Sequence, residues 1–312
     1  MSRTSWINAG ALALAIAGSI LATTPRSVAV EAPVAATPTE AGGGARRIAS
    51  ASTVADALLR ELCPPGRIVA VTALSAEGRD AYRLEGVPTV RSLDDVEAIV
   101  GLRPDVVLAH NVADPGRVER LRRAGVRVED LGALEGRASL GEDARVIGAL
   151  CGAPDAGRRW AEAFERRMDA VAADVPADAR RRGLYLTVYG DRFMGGTVGS
   201  SYHDVMSAGG VIDAAATSYH GWPTYDVEQL LELDPDVIIS REGMRPTLCG
   251  HPVLRRLRAC PSDVIELDPD LLDDPGPGML EAAEAVRAAV YPGVSADGST
   301  GSRSARPPRA TP

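Results

Sequence analysis

One stretch of this chain occurs twice, 131 residues apart. Val96–His110 reads VEAIVGLRPDVVLAH, Val227–Arg241 reads VEQLLELDPDVIISR, and the two align without a gap. Each opens with apolar residues at helical spacing, Val96, Ile99 and Val100 in the first copy and Val227, Leu230 and Leu231 in the second. Pro104 and Pro235 then stop the helix, because proline lacks an amide donor and restricts the residue before it. An Asp follows, and after it an apolar run with the length and β-branching of a buried strand: Val106, Val107, Leu108 and Val237, Ile238, Ile239. A helix feeding a buried strand, twice at one spacing, predicts two related α/β lobes.

A chain of 312 residues has room for one large domain or two medium ones. Its 45% hydrophobic and 24% charged residues are ordinary for a globular protein, and a net charge of −8 argues against a nucleic-acid surface. At the N-terminus Arg3 precedes an uninterrupted apolar segment, Ala9–Ala22. It is short for a membrane span and suits a signal-peptide core, with cleavage after Ala22 or Ala29. The first cysteine is Cys63, so no lipid-acceptor Cys follows that core, and export to the periplasm is expected. A retained N-terminal anchor is the alternative.

Four cysteines in an exported chain fit disulfides. Cys249 and Cys260 are close in sequence and bracket HPVLRRLRA, a segment expected to be helical, which would leave Cys63 to pair with Cys151. Three connectivities are open.

The expected organisation runs from a signal peptide (1–29) and a Pro-, Ala- and Gly-rich linker (30–45) into an N-terminal α/β lobe (46–153). Trp160, Phe164, Met168 and Val171 recur at helical spacing and predict one long amphipathic helix, a candidate bridge at 154–176. A C-terminal α/β lobe (177–293) and a disordered tail (294–312) complete the chain. Within the second lobe, LYLTVY reads as a strand, GDRFMGGTVGS as a loop, and Ser201–Ala208 as a helix ended by Gly209-Gly210.

At this level of detail the sequence resembles the substrate-binding proteins of ABC importers for iron–siderophores, haem and corrinoids. The resemblance rests on RIASASTVADALLREL with RIVAVTAL, on VEAIVGLRPDVVLA, on YHDVMSAGGVIDAAA with GWPTYDVEQLLELDPDVII, and on GPGMLEAAEAVRAAVYP. It covers nearly all of residues 46–293 and implies two α/β lobes with mainly parallel sheets joined by one long bridging helix. It also implies that a Glu on each lobe, here Glu97 and Glu228, meets Arg residues of the permease. The bland reading of both is a solvated Glu favoured by the helix dipole.

The ligand is then expected between the lobes, beyond the carboxyl ends of strands. That selects Thr72 and Leu74, His110 and Asn111, Tyr189, Phe193 and Met194, and Arg241. The loop SYHGWPTY adds Tyr219, His220 and Trp222, with Tyr225, in a chain only 4% aromatic. Such a cluster suits a flat, partly apolar chelate, and Tyr or His could ligate its metal axially. Lobe-core packing is the alternative for Trp222 and Tyr225. Arg91, Arg192 and Arg241 do not form an evident cationic cluster, so a corrinoid or haem is favoured over a ferric siderophore as the transported ligand. No covalent cofactor is expected, and the protein is read as a monomer.

An enzyme is not expected. Ser200, His203 and Asp204 are close in sequence but make no base-oriented triad, and no GxSxG elbow is present. GGTVGSS lacks the Lys of a phosphate loop, and no GxGxxG follows a strand. The alternative is a stand-alone periplasmic haem or transition-metal carrier, although His110, His203, His220 and His251 are scattered.

Overall fold

The computed structural model describes residues 44–77, 86–110 and 115–293. The expected signal peptide, most of the linker, the C-terminal tail and Asn111 lie outside the described residues.

The first half contains β1 (Ile48–Ser50), α1 (Thr53–Leu62), β2 (Ile68–Thr72), α2 (Ala73–Glu77) and β3 (Thr89–Val90). It continues with α3 (Val96–Gly101), β4 (Val106–Ala109), α4 (Pro115–Arg123), β5 (Val128–Asp130) and α5 (Arg137–Leu150). Helix α6 (Pro154–Ala170) follows. The second half contains β6 (Arg182–Tyr189), β7 (Arg192–Gly196), α7 (Ser201–Ala208), β8 (Ile212–Asp213), β9 (Thr224–Tyr225) and α8 (Val227–Leu233). It ends with β10 (Val237–Arg241), α9 (Arg245–Gly250), β11 (Val264–Leu267), α10 (Pro269–Leu272) and α11 (Met279–Val290).

The two sheets share one strand order. The first is β3-β2-β1-β4-β5 with every pair parallel, and the second is β9-β7-β6-β10-β11, with β8 beside β6. They differ at one strand. Where β1 reaches β2 through a helix, β6 turns back at Gly190-Asp191 into antiparallel β7, and Gly190 has the positive φ that such a tight turn requires. The sequence predicts a loop for this segment, and the structure has a strand. Its glycines hid the strand: a Cβ at Gly195 would overlap the Tyr225 ring, and one at Gly196 the Tyr202 ring.

The repeat is one structure built twice. Arg103 and Asp234, both just before the Pro, are the two non-Gly residues with positive φ among those described, at 47° and 32°. The Asp after each Pro then anchors the lobe's first strand. Asp105 accepts from the amides of Arg46 and Arg47 at 2.7 and 2.9 Å, and Asp236 accepts from that of Arg182 at 3.1 Å. Each copy's apolar strand alternates faces. Val106, Leu108, Val237 and Ile239 face one core, whereas Val107 and Ile238 face separate outer cores. The helical part departs from the expectation: Ile99 and Leu230 are buried, but Val100 and Leu231 are exposed.

Both inner faces belong to a single core. It is completed by α1, α5, α6, α7 and α11, with Leu58, Ile147, Phe164, Met168, Met206 and Val286 among its members. Helices α3 and α4 cover the outer face of the first sheet, and α8 and α9 that of the second. Pro154 opens α6 at a position whose amide needs no partner. Gly157, Ala161, Phe164 and Met168 form its buried face, and Trp160 stacks on Phe164 with centroids 5.3 Å apart. Small residues let α5 and α6 approach backbone to backbone. A Cβ on Gly148 would sit 2.8 Å from the Gly157 Cα, and one on Gly157 would overlap the Ala144 carbonyl.

Polar ties brace the same layer. Arg137, the first residue of α5, donates its amide to Asp204 of α7 at 2.7 Å and its guanidinium to Glu165 and Asp169 of α6 at 2.7 and 2.6 Å. Cys63 and Cys151 join the ends of α1 and α5, with Cα atoms 5.2 Å apart. Cys249 and Cys260 are also joined, 5.5 Å apart. The segment between them is not the helix expected from its sequence; it carries a single 3-10 turn at Leu254–Arg256 after α9.

In the second lobe the Asp213 carboxylate, almost wholly buried, accepts from Thr197 Oγ1 at 2.6 Å and from His203 Nδ1 at 2.7 Å. The hydrogen bond to Asp213 raises the His203 pKa, against the effect of burial, and the charges of Asp213 and Asp204 add to it.

Two predictions follow from these contacts. Gly157→Leu wedges α5 from α6 and is expected to lower unfolding stability by about 1–3 kcal/mol, read as a lower urea midpoint; an unchanged midpoint would show that the close approach is dispensable. Because the folded pKa of His203 is raised, the stability it contributes is fully present below its unfolded value, about 6.5, and is lost as pH rises through the folded value. Relative to His203→Gln, the wild-type melting temperature is therefore expected to lose ground from about pH 6.5 upward; parallel curves from pH 5 to 9 would refute the pairing.

Candidate functional site

A cleft of about 640 Å³ opens between the helices that follow β1 and β2 and the segment that follows β11. One wall is Thr53 and Arg60 of α1 with Leu74, Ser75 and Glu77 of α2; the other is the segment after β11, with Asp268, Asp270, Asp273 and Asp274. The second wall is built by local capping. Asp268 caps α10 by accepting from the Asp270 amide at 2.9 Å, and Asp274 accepts from the amides of Gly276 and Gly278 at 2.7 and 3.0 Å.

Behind Asp273 stands a group of rings and one guanidinium. Arg241, the last residue of β10, pairs with Asp273 at 2.8 Å and lies over the exposed Tyr189 ring, 5.4 Å from its centroid. Tyr185 and Tyr202 stack with centroids 3.7 Å apart, and the Tyr202 hydroxyl donates to Asp273 at 2.9 Å. Burial raises both of these phenol pKa values, so the hydroxyls remain donors at neutral pH. Burial opposes the Arg241 charge, but the hydrogen bond with Tyr189 and the charge of Asp273 hold its pKa above the usual guanidinium value. Of this group only Asp273 lines the cleft; Arg241 and Tyr189 form a cation and a flat exposed ring beside it.

Of the first-lobe residues expected at the ligand, Leu74 reaches the cleft and is 73% exposed. Thr72 does not: it is buried, and its amide and hydroxyl both donate to Asp56 Oδ2, at 2.9 and 2.6 Å, tying β2 to α1. His110 is a second correction. Its side chain is 3% exposed and both ring nitrogens are occupied, Nδ1 with Ser52 Oγ at 2.6 Å and Nε2 with Asp143 Oδ2 at 2.9 Å. Neither ring nitrogen is left to reach a ligand. This Ser–His–Asp chain is closed off within the lobe, and the Ser52 oxygen also caps α1 by accepting from the Ala55 amide at 3.3 Å. It pins β4 and α5 to the start of α1.

In the second lobe Tyr189 and Arg241 are brought together, whereas Phe193 and Met194 are on β7. Phe193 is half-buried against the outer core and edge-on to His251 at 5.6 Å. Met194 is half-buried opposite Thr187 of β6. Tyr219 packs edge-on to the buried Tyr225 at 5.0 Å, so both belong to the outer core. Trp222 and His220 are exposed on the same loop, which runs along the end of β7 through the bond from the Thr197 amide to the Gly221 carbonyl at 3.0 Å.

Ser200, His203 and Asp204 form no relay, since the Ser200 hydroxyl donates to the Thr197 carbonyl and His203 bonds Asp213. Among the described residues, no group of three or more His, Cys, Asp and Glu side chains is placed to hold a metal ion. None of their helices is long and apolar enough to cross a membrane. Asp273, Tyr185 and Tyr202 are not among the residues expected from the sequence. Asp273 lies just past a strand's carboxyl end, so following β11 onward finds it; the two tyrosines converge only through tertiary packing. Glu97 and Glu228 are exposed in the first turns of α3 and α8, two residues after the capping Asp95 and Asp226.

Comparison with known proteins agrees with this architecture. A family model described as "Periplasmic binding protein" matches residues 48–271. The ABC transporter substrate-binding lipoprotein YvrC of Bacillus subtilis is 23% identical over 241 residues, 72% of this chain and 74% of that protein. A cobalamin-binding protein of Halobacterium salinarum is 29% identical over 200 residues, 61% of this chain, and the match spans 54% of that longer protein. Among solved structures, the periplasmic heme-binding protein RhuT of Roseiflexus superposes with a TM-score of 0.65 at 21% identity, covering 80% of this chain and 99% of that one. With two α/β lobes in one strand order, a helix between them and a family match over most of its length, the chain belongs to the periplasmic binding protein family.

Proposed function

We propose that this protein is the exported binding component of an ABC importer, capturing a metal chelate in the cleft and delivering it to the membrane permease. Residues 1–29 serve as the export signal, 46–153 and 177–293 form the lobes, and 154–176 joins them. The observation that carries the reading is the cleft, with its walls contributed by opposite lobes and its lining Asp273 paired with Arg241, which lies over Tyr189. A cleft open at the carboxyl ends of strands suits capture and release without covalent chemistry.

The lining bears on which chelate is held. It carries Glu77, Asp268, Asp270, Asp273 and Asp274 against one Arg60. Carboxylates repel the propionates of haem and the anionic groups of many ferric siderophores, whereas the amide periphery of a corrinoid accepts and donates hydrogen bonds without that cost. The cobalamin-binding relative supports the same order: corrinoid first, haem second, ferric siderophore third. Exposed Tyr189, beside the Arg241 that pairs with the lining Asp273, supplies flat apolar area for a macrocycle.

A visible absorption titration with cobalamin, haem and a ferric siderophore tests this reading. A saturable change with cobalamin is expected, weakened roughly tenfold by Tyr189→Ala through loss of an aromatic contact. Silence with all three chelates would overturn it.

A further inference from the structure

The carboxylates that line the cleft are not equivalent. Glu77, Asp268 and Asp270 are exposed, and Asp268 and Asp274 accept from backbone amides close by in the chain. Asp273 is half-buried and is held by side chains from two other elements. The Nε of Arg241, at the end of β10, lies 2.8 Å from its Oδ2 and 3.2 Å from its Oδ1. The Tyr202 hydroxyl of α7 donates to Oδ1 at 2.9 Å, and its ring is stacked on Tyr185 of β6. To turn away from the guanidinium, this carboxylate would give up a charge-assisted bond and a phenol bond together. The local fold does not require the side chain. Asp273 closes α10 through its backbone, the amide donating to the Pro269 carbonyl at 2.9 Å.

The pair also decides what a ligand meets. The Arg241 side chain is 23% exposed and that of Asp273 27%, so one carboxylate separates a permanent cation from the cleft. An anionic ligand group would have to approach that cation from the place Asp273 already fills. Tyr189 covers Arg241 elsewhere, 5.4 Å from its ring centroid. Asp270 only adds a negative charge to the lining; Asp273 adds one and cancels a positive one beside it.

We propose that Asp273 sets the charge specificity of the cleft, by masking Arg241 and so turning away chelates that carry carboxylate groups. The inference rests on the importer reading and names the residue that keeps one class of chelate out. Specificity is a difference of affinities, and a masked cation acts on the excluded ligand without taking a contact from the favoured one. A neutral amide periphery has little to gain from the free guanidinium, whereas a propionate gains a charge-assisted bond.

The test is a visible absorption titration of the mature protein with haem, haem dimethyl ester and cobalamin. Asp273→Ala and Asp270→Ala each remove one negative charge from the same wall, but only the first frees Arg241. Asp273→Ala is expected to bind haem about tenfold more tightly than the wild type does. Asp270→Ala is expected to gain no more than about threefold. The Asp273→Ala gain should vanish with haem dimethyl ester, which keeps the ring and lacks the carboxylates, and in Asp273→Ala/Arg241→Gln. Asp273→Asn keeps the shape of the side chain and should gain in the same direction, which guards against a misfolded alanine variant. Equal gains in the two alanine variants would reduce the effect to general charge and overturn the proposal. So would a gain that persists with the ester, or a lower melting temperature with no change in haem affinity, which would leave Asp273 a structural tie between β10 and α10. Cobalamin binding by the wild type keeps the importer reading standing in each of those cases. If the wild type and all variants bind none of the three, that reading falls and this inference with it.

Discussion

Two glycines in facing helices set the frame of this protein. Because neither Gly148 nor Gly157 carries a Cβ, α5 and α6 close to backbone contact, and the layer they form reaches under both sheets. The inner faces of the sheets then share one core instead of closing off two separate ones. Burying apolar surface is the main favourable term in folding, so separating the lobes exposes interior that two independent domains would keep covered. The Arg137 network and the Cys63–Cys151 bond lie on that same layer.

The cleft follows from this arrangement. With the inner faces fused at one side, the segments that follow the strands are left to face each other across a gap, and they are free to carry polar groups. Asp273 shows how such a group is held. It takes the Arg241 guanidinium on one side and the Tyr202 hydroxyl on another, so the wall is organised before any ligand arrives. Preorganisation of this kind limits what binding must order.

Much of the architecture was legible in the sequence because its cause is local. The repeat announces itself through proline, a strand-anchoring Asp and an alternating apolar run, and these dictate the same backbone at Arg103 and Asp234. What could not be read depended on partners far along the chain. β7 was hidden by glycines that are there to admit tyrosine rings from elsewhere. The His110 side chain is turned inward, where Ser52 and Asp143, 58 and 33 residues away, occupy both its nitrogens. Thr72 sits at a strand end as expected, yet Asp56 turns it inward. The helix faces were half right, since Val100 and Leu231 share the apolar pattern of the repeat but not its burial.

The central claim is that one core makes the two lobes a nearly rigid pair, with only limited closure on a ligand. Pulsed electron resonance between spin labels at Arg91→Cys and Glu242→Cys, both exposed and one on each lobe, measures this directly. The native cysteines are paired, so the introduced ones take the labels. The mean distance is predicted to change by less than about 3 Å on saturation with the bound chelate, as expected for packed elements that shift by shear. A change of about 10 Å, or two resolved distances without ligand, would reveal a hinge and contradict the shared-core account.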